Sequence, residues 1–198
     1  MEQPGFVFVG NHFAADFVNT RKNVKGTRTE LLHTWDDLIQ WLEQAGKLDV
    51  VTGQKNQLSK GEKEDLVQKI LSIRNHMEQA FIDITQEKSI PESVVAYLNH
   101  ELAGYRSYYQ IEAQDTVVTA VRHYEISQLP ALFLEEAARF LTTFKPVNLK
   151  KCENHSCILY FYDTSRNQQR RWCSMDKCGN RVKVNQHYHR KKADSLAD

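Results

Sequence analysis

Apolar positions recur at steps of three and four over much of the first 145 residues. Phe13, Ala14, Phe17 and Val18 predict a first helix, with Asn11 as its cap. Trp35, Leu38, Ile39 and Leu42 predict a second, capped by Thr34 and closed by Gly46. Leu66, Ile70, Ile73, Met77, Phe81 and Ile84 form the longest stripe. Ser59-Lys60-Gly61-Glu62 precedes it in capping-box form, so a helix of about seven turns is expected. Ser89-Ile90-Pro91-Glu92 repeats that start signal ahead of Val95, Leu98 and Leu102, and Gly104 ends the run. Leu134, Ala137, Ala138, Leu141 and Phe144 predict a last helix from Pro130, stopped by Lys145-Pro146.

The pattern changes period in two places. Residues 105–113 and 116–124 are rich in Tyr, Val, Ile and Thr, which predicts a β-hairpin turning at Gln114-Asp115. Gly5 to Gly10 reads as a short edge strand or an extended segment, and Lys22 to Arg28 reads as a polar loop. The expected fold is therefore mainly α with a small β-hairpin. A helical domain over 1–145 is followed by a separate module over 146–198.

Charge sharpens that division. The formal net charge is +1. From Lys145 onward there are twelve Lys and Arg against five Asp and Glu, whereas the first 144 residues carry fourteen against twenty. All four cysteines lie in the basic part. A basic, cysteine-bearing end on an acidic body points to a polyanionic partner. No apolar stretch approaches the ~18 residues that span a bilayer, and MEQPGFVFVG lacks the basic start of a secretory signal. A cytoplasmic chain with reduced cysteines and no membrane partner is expected.

The cysteines follow C-x4-C, a fifteen-residue spacer, then C-x4-C. Each pair can supply two ligands from one turn, and a strand-rich spacer can bring the turns face to face. Cys152, Cys157, Cys173 and Cys178 are the expected ligands, and Zn²⁺ the expected ion, because it favours a closed tetrahedron of thiolates. Ile158 to Tyr162 reads as a strand, 163–167 as a turn and 169–172 as the returning strand, followed by a helix over 182–192. His155 reads as a surface residue of the first turn. Metal binding would stabilise a segment too short to bury much core.

Arg166, Arg170 and Arg171 flank the spacer, and Arg181, Lys183, His187, Arg190 and Lys191 follow on the terminal helix. Lys183, His187 and Arg190 share one helical face, which could lie along phosphates or enter a major groove. Arg181 could equally bond back to nearby carbonyls, and the basic helix could be merely solvated.

Cys178-Gly179-Asn180-Arg181, with 163–167 and Arg170-Arg171-Trp172-Cys173-Ser174-Met175, resembles the CGNR zinc finger. Residues 15–21, 38–47 and 70–81 resemble the ABATE domain of a family named for stress-induced transcription regulators. The order knuckle, hairpin, knuckle, helix is treble-clef-like, and the resemblance implies zinc on the four cysteines and a DNA-binding role. His12, Asp16, Asn19, Arg21 and Arg74 form a polar group that could hold a small-molecule effector or simply cap and pair within the fold. No nucleotide-binding fingerprint and no catalytic nucleophile setting is present.

The expected function is a zinc-dependent, non-enzymatic DNA-binding regulator. Its helical domain would sense a ligand or mediate homodimerisation, because one finger makes a small footprint on duplex DNA. The alternatives are a zinc-stabilised RNA- or protein-binding module and, third, an enzyme with a site in the helical domain.

Overall fold

The computed structural model describes residues 5–53, 58–185 and 188. Helix α1 (Phe13–Val18) enters the core first. Its cap is His12, whose Nδ1 accepts the Ala14 N–H, and not Asn11. Asn11 sits at φ 57° and donates from its side chain to the Tyr162 carbonyl and Thr164. The segment read as a loop is a hairpin. Strands β1 (Arg21–Val24) and β2 (Thr27–Glu30) pair antiparallel around Lys25-Gly26, both at positive φ. Two successive positive φ values twist the turn to match the strands.

Helix α2 (Trp35–Gln44) carries the expected Thr34 cap, completed into a capping box by Asp37, and Gly46 follows it at φ 64°. Strand β3 (Val51–Thr52) is short. Helix α3 (Lys60–Glu87) is 28 residues long and begins on the Ser59–Glu62 capping box. Helix α4 (Glu92–Leu102) starts at Pro91 with no side-chain cap, so Ser89 does not play the role its spacing proposed. It buries Val94 and Leu98 and leaves Val95 exposed.

Strands β4 (Tyr108–Gln114) and β5 (Val117–Glu125) form the expected hairpin, with the turn one residue later than predicted, at 115–116. β3 joins β5 in parallel, giving the order β3-β5-β4. Helix α5 (Pro130–Thr143) closes the helical part with Pro130 in its first turn. One apolar core gathers Phe17, Leu38, Trp41, Ile73, Phe81, Phe133 and Phe140, all nearly inaccessible.

The last part is built on strands β6 (Leu149–Lys151) and β7 (Tyr160–Tyr162), paired antiparallel. The spacer does not fold back on itself as predicted. β7 pairs with residues ahead of the first cysteine, and 169–172 forms no strand. Leu149 and Tyr160 reach into the helical core, while Phe161 and Leu159 turn to a second, small core with Cys152, Cys173 and Cys178.

Residues 5–10 run between the two cores as a strap. Phe6 packs with the helical core and Phe8 stacks on Trp41 at 6.1 Å; Val7 and Val9 pack against the cysteine-bearing core. An extended chain points alternate side chains to opposite sides, so one strap can serve both. No helix among the described residues is long and apolar enough to cross a membrane.

Candidate metal centre

Two turns present the cysteines. In the first, Asn154 is buried and its Oδ1 accepts both the N–H and the hydroxyl of Ser156, while the Cys157 N–H donates to the Asn154 carbonyl. In the second, Ser174 caps the π-helical turn Met175–Gly179, and its carbonyl accepts from the N–H groups of Cys178 and Gly179. The Glu153 N–H donates to the Arg171 carbonyl, which holds one turn against the other.

The four Sγ atoms all lie within 4.8 Å of one another. Cys157 to Cys173 is 3.7 Å and Cys173 to Cys178 is 3.6 Å. A tetrahedron with metal–sulfur bonds of about 2.3 Å has edges of about 3.8 Å, so the separations suit four ligands on one ion. They are far beyond the ~2.05 Å of a disulfide, and all four cysteines are free. Thiols this close cannot ionise together without a cation between them. Cys152 is drawn down by hydrogen bonding from Cys157, and the same partnership pushes Cys157 up; Cys173 is pushed up by Cys152 and Cys157. A divalent ion would relieve that conflict. His155 is exposed and stands outside the cluster.

Around this centre the predicted basic residues divide into three groups. Arg170 faces inward. It donates to the Trp172, Val9 and Cys173 carbonyls and lies 4.3 Å from the Phe161 ring centroid. The carbonyl-bonding role that the sequence offered to Arg181 is filled by Arg170. Arg171 is exposed, pairs with Glu153 at 2.6 Å and lies over Trp172. Arg166, Arg181 and Lys183 are exposed and make no ion pair among the described residues. Residues 180–185 are helical. His187, Arg190 and Lys191 lie outside the described residues.

Gly179 is buried where the second turn meets Trp172. A Cβ there would stand 2.5 Å from Met175 Sδ and 3.3 Å from Trp172 Cε3. The glycine in Cys-Gly-Asn-Arg thus permits a close approach. Asp163, read in the sequence as the start of a turn, anchors the same region. It is fully buried, accepts from the Ser165 and Arg170 N–H groups and pairs with Lys150 at 2.7 Å. Burial would raise its carboxyl, but these donors outweigh it and hold it at about 2. Its signal was the turn sequence Asp-Thr-Ser, where an aspartate bonds the backbone two residues on.

The five residues of the polar group do not share one site. Asn19 is buried, and its amide exchanges two 2.8 Å bonds with the backbone of Tyr160, clamping α1 to β7. Arg74 is buried and donates to both oxygens of Glu30, at 2.6 and 2.5 Å, and to Thr20. Arg21 bridges Glu30 and Glu78. Only His12 and Asp16 face a common cavity, of about 480 Å³, lined also by Phe8, Phe13, Lys47 and Arg139. Burial lowers His12 and pushes Asp16 up to about 6, although Asp16 accepts the Gly10 N–H at 2.7 Å.

Comparison with known proteins finds two family matches in the chain. The family described as ABATE, "Putative stress-induced transcription regulator", matches residues 11–143, and the CGNR zinc finger matches residues 148–191. No curated protein matches the chain significantly. The ABATE match covers most of the sequence, and the chain belongs to that family, with a CGNR zinc finger following the matched region.

Proposed function

We propose that this ABATE–CGNR chain is a cytoplasmic transcription regulator in which Zn²⁺, held by Cys152, Cys157, Cys173 and Cys178, organises a treble-clef-like finger that binds duplex DNA. The observation that carries the reading is the four-thiol cluster in a module whose exposed Arg166, Arg181 and Lys183 make no ion pair among the described residues. Zinc would supply no reaction here. A shell of four thiolates is closed, which supports binding rather than catalysis. The ion's task is to fix the two turns, and through the second turn the helix that carries Arg181 and Lys183. Those two residues and Arg166 are the DNA-contacting set we assign among the described residues. Arg170 is given instead to holding the finger together, because its guanidinium is already engaged with carbonyls.

The helical domain would bind a small effector beside His12 and Asp16 and bring two copies together. The Arg74–Glu30 network is excluded from that role because its donors and acceptors are turned on each other.

Duplex binding across a salt series tests the reading. The double variant Arg181→Ala, Lys183→Ala should bind more weakly and lose roughly 0.9 of logarithmic salt slope for each phosphate contact removed. A metal-loaded protein with no affinity for duplex DNA would overturn it. Preference for folded RNA, or salt-insensitive binding to a protein, would move the finger to another class of partner.

A further inference from the structure

We infer that the β4–β5 hairpin is the surface through which two copies of the chain pair. The inference rests on the two-copy regulator proposed above and assigns the face that joins them.

From Tyr108 to Ala120 every described side chain is exposed. The strand register sorts these side chains onto two faces of different character. Tyr109 opposite Arg122, Ile111 opposite Ala120 and Ala113 opposite Val118 make one face. Its large members stand well out of the protein: Tyr109 is 61 %, Ile111 66 % and Val118 67 % exposed. The other face mixes exposed Tyr108 and Val117, and Val121, with Gln110, Glu112 and Thr119, and its Glu112 lies 3.7 Å from His123. The first face holds a single charge, Arg122, at its base. That charge is paired with Glu135 at 2.7 Å, and the guanidinium lies over the Tyr109 ring.

The edge is also bare. Among the described residues β4 has β5 as its one sheet neighbour. Its sequence, YYQIEAQ, contains no Lys, no Pro and one charge, Glu112, on the opposite face. Edge strands that stay solvated are usually blunted by such residues. An exposed apolar hairpin is also marginal on its own.

A second copy is the occupant that fits. A face without free charge offers nothing for an acidic or basic partner to recognise. Across a twofold axis, however, it meets an identical face with no like charges opposed, and Glu112 stays outside the contact. The size is adequate. Seven residues at ~3.4 Å give a strand about 24 Å long. Tyr109, Ile111 and Val118 from both copies, with the flanking backbone, bring the buried area to about 1,000 Å², the lower bound of a specific interface. An interface of that size should be weak enough for pairing to depend on concentration. It would set two fingers in twofold relation, as a palindromic DNA site requires.

Sedimentation velocity on the full-length, metal-loaded protein tests this. The unmodified protein should shift from monomer to dimer as concentration rises. Ile111→Lys and Val118→Glu should each weaken the dimer at least tenfold, with unchanged far-ultraviolet circular dichroism and metal content. Val117→Glu, on the opposite face, should stay within twofold of the unmodified protein. A protein that is monomeric at every concentration overturns the inference. A dimer indifferent to Ile111→Lys and Val118→Glu also overturns it, and leaves the two-copy reading to another surface. Salt-dependent DNA binding, measured on the same samples, stands or falls separately and reports on the regulator reading itself.

Discussion

The helical core and the finger core are stabilised by different physics. In the first, rings meet rings: Phe17 and Phe133 at 4.5 Å, Phe13 and Trp41 at 5.0 Å, Phe81 and Phe140 at 5.3 Å. Dozens of apolar side chains share the load, each worth ~1.5–3 kcal/mol when fully buried. In the second, the fully buried members are Leu159 and Phe161 with three of the four cysteines. The finger's core is largely its ligand set. Burial distributed over many residues degrades gradually, whereas a core organised around one ion is gained or lost as a unit.

The largest effect should come from removing that ion. Chelation, or Cys173→Ser with Cys178→Ser, should abolish amide-exchange protection over 148–185 while protection in α3 and α5 persists. Structural zinc contributes roughly 10–16 kcal/mol of apparent binding energy in finger peptides. A chelated protein with an unchanged exchange profile would show the finger core to be self-sufficient and end the contrast.

A smaller but still large effect should follow from Glu30→Ala, which strands the buried Arg74 charge. Removing one partner of a buried pair costs about 3–5 kcal/mol. The loss should appear as a lower urea midpoint for the helical part. Its pH dependence has a definite sign. Burial alone would raise the Glu30 carboxyl, but Arg74 outweighs it and holds it at about 2, below its ordinary 4.5. The contribution is therefore complete above about 4.5 and is lost as pH falls towards 2. Urea melts at pH 6 and pH 3 should converge for the variant relative to the unmodified protein. Parallel melts would show that the pair does not carry that pH dependence.

The smallest effect probes the junction. Asn19→Ala removes both bonds to the Tyr160 backbone and leaves a buried N–H and carbonyl unpaired, at about 1–3 kcal/mol. Exchange at the Tyr160 amide should accelerate more than exchange within α2. Equal acceleration in both would mean that the two cores act as one cooperative unit.

What the sequence disclosed depended on whether a signal was local. The Thr34 cap, the Ser59 capping box and the 3.6-residue stripe of α3 are each contained within one element, and each was readable. So was the C-x4-C pairing, because each turn needs only its own residues. The β1–β2 hairpin was hidden because Lys25-Gly26 lacks the Asn or Asp that usually marks such a turn, and its strands alternate weakly. The partner of β7 was hidden for another reason. Lys150-Lys151 has no strand pattern, and pairing across the first cysteine turn is decided by how the module sits on α3. Arg170 and Arg166 are four residues apart and chemically identical. Only the position of three carbonyls makes one a tie within the fold and leaves the other in solvent. The polar group does not form a unit because residue type and nearness in sequence do not show that Asn19, at the end of α1, faces β7 while Arg74, on α3, faces Glu30.

The strap at residues 5–10 has a consequence for the order of assembly. The bond from Arg170 to the Val9 carbonyl joins residues 161 positions apart, and the Asn11 contact with Thr164 spans 153. Contacts of that separation carry a large loop-closure cost and form late. During synthesis Val7 and Val9 must wait for Leu159 and Phe161 to be made before they find their neighbours. The helical core can close around Phe6 and Phe8 beforehand, which lowers the cost by holding the strap in place. The finger then completes its folding against a template that the opposite end of the chain has already laid down.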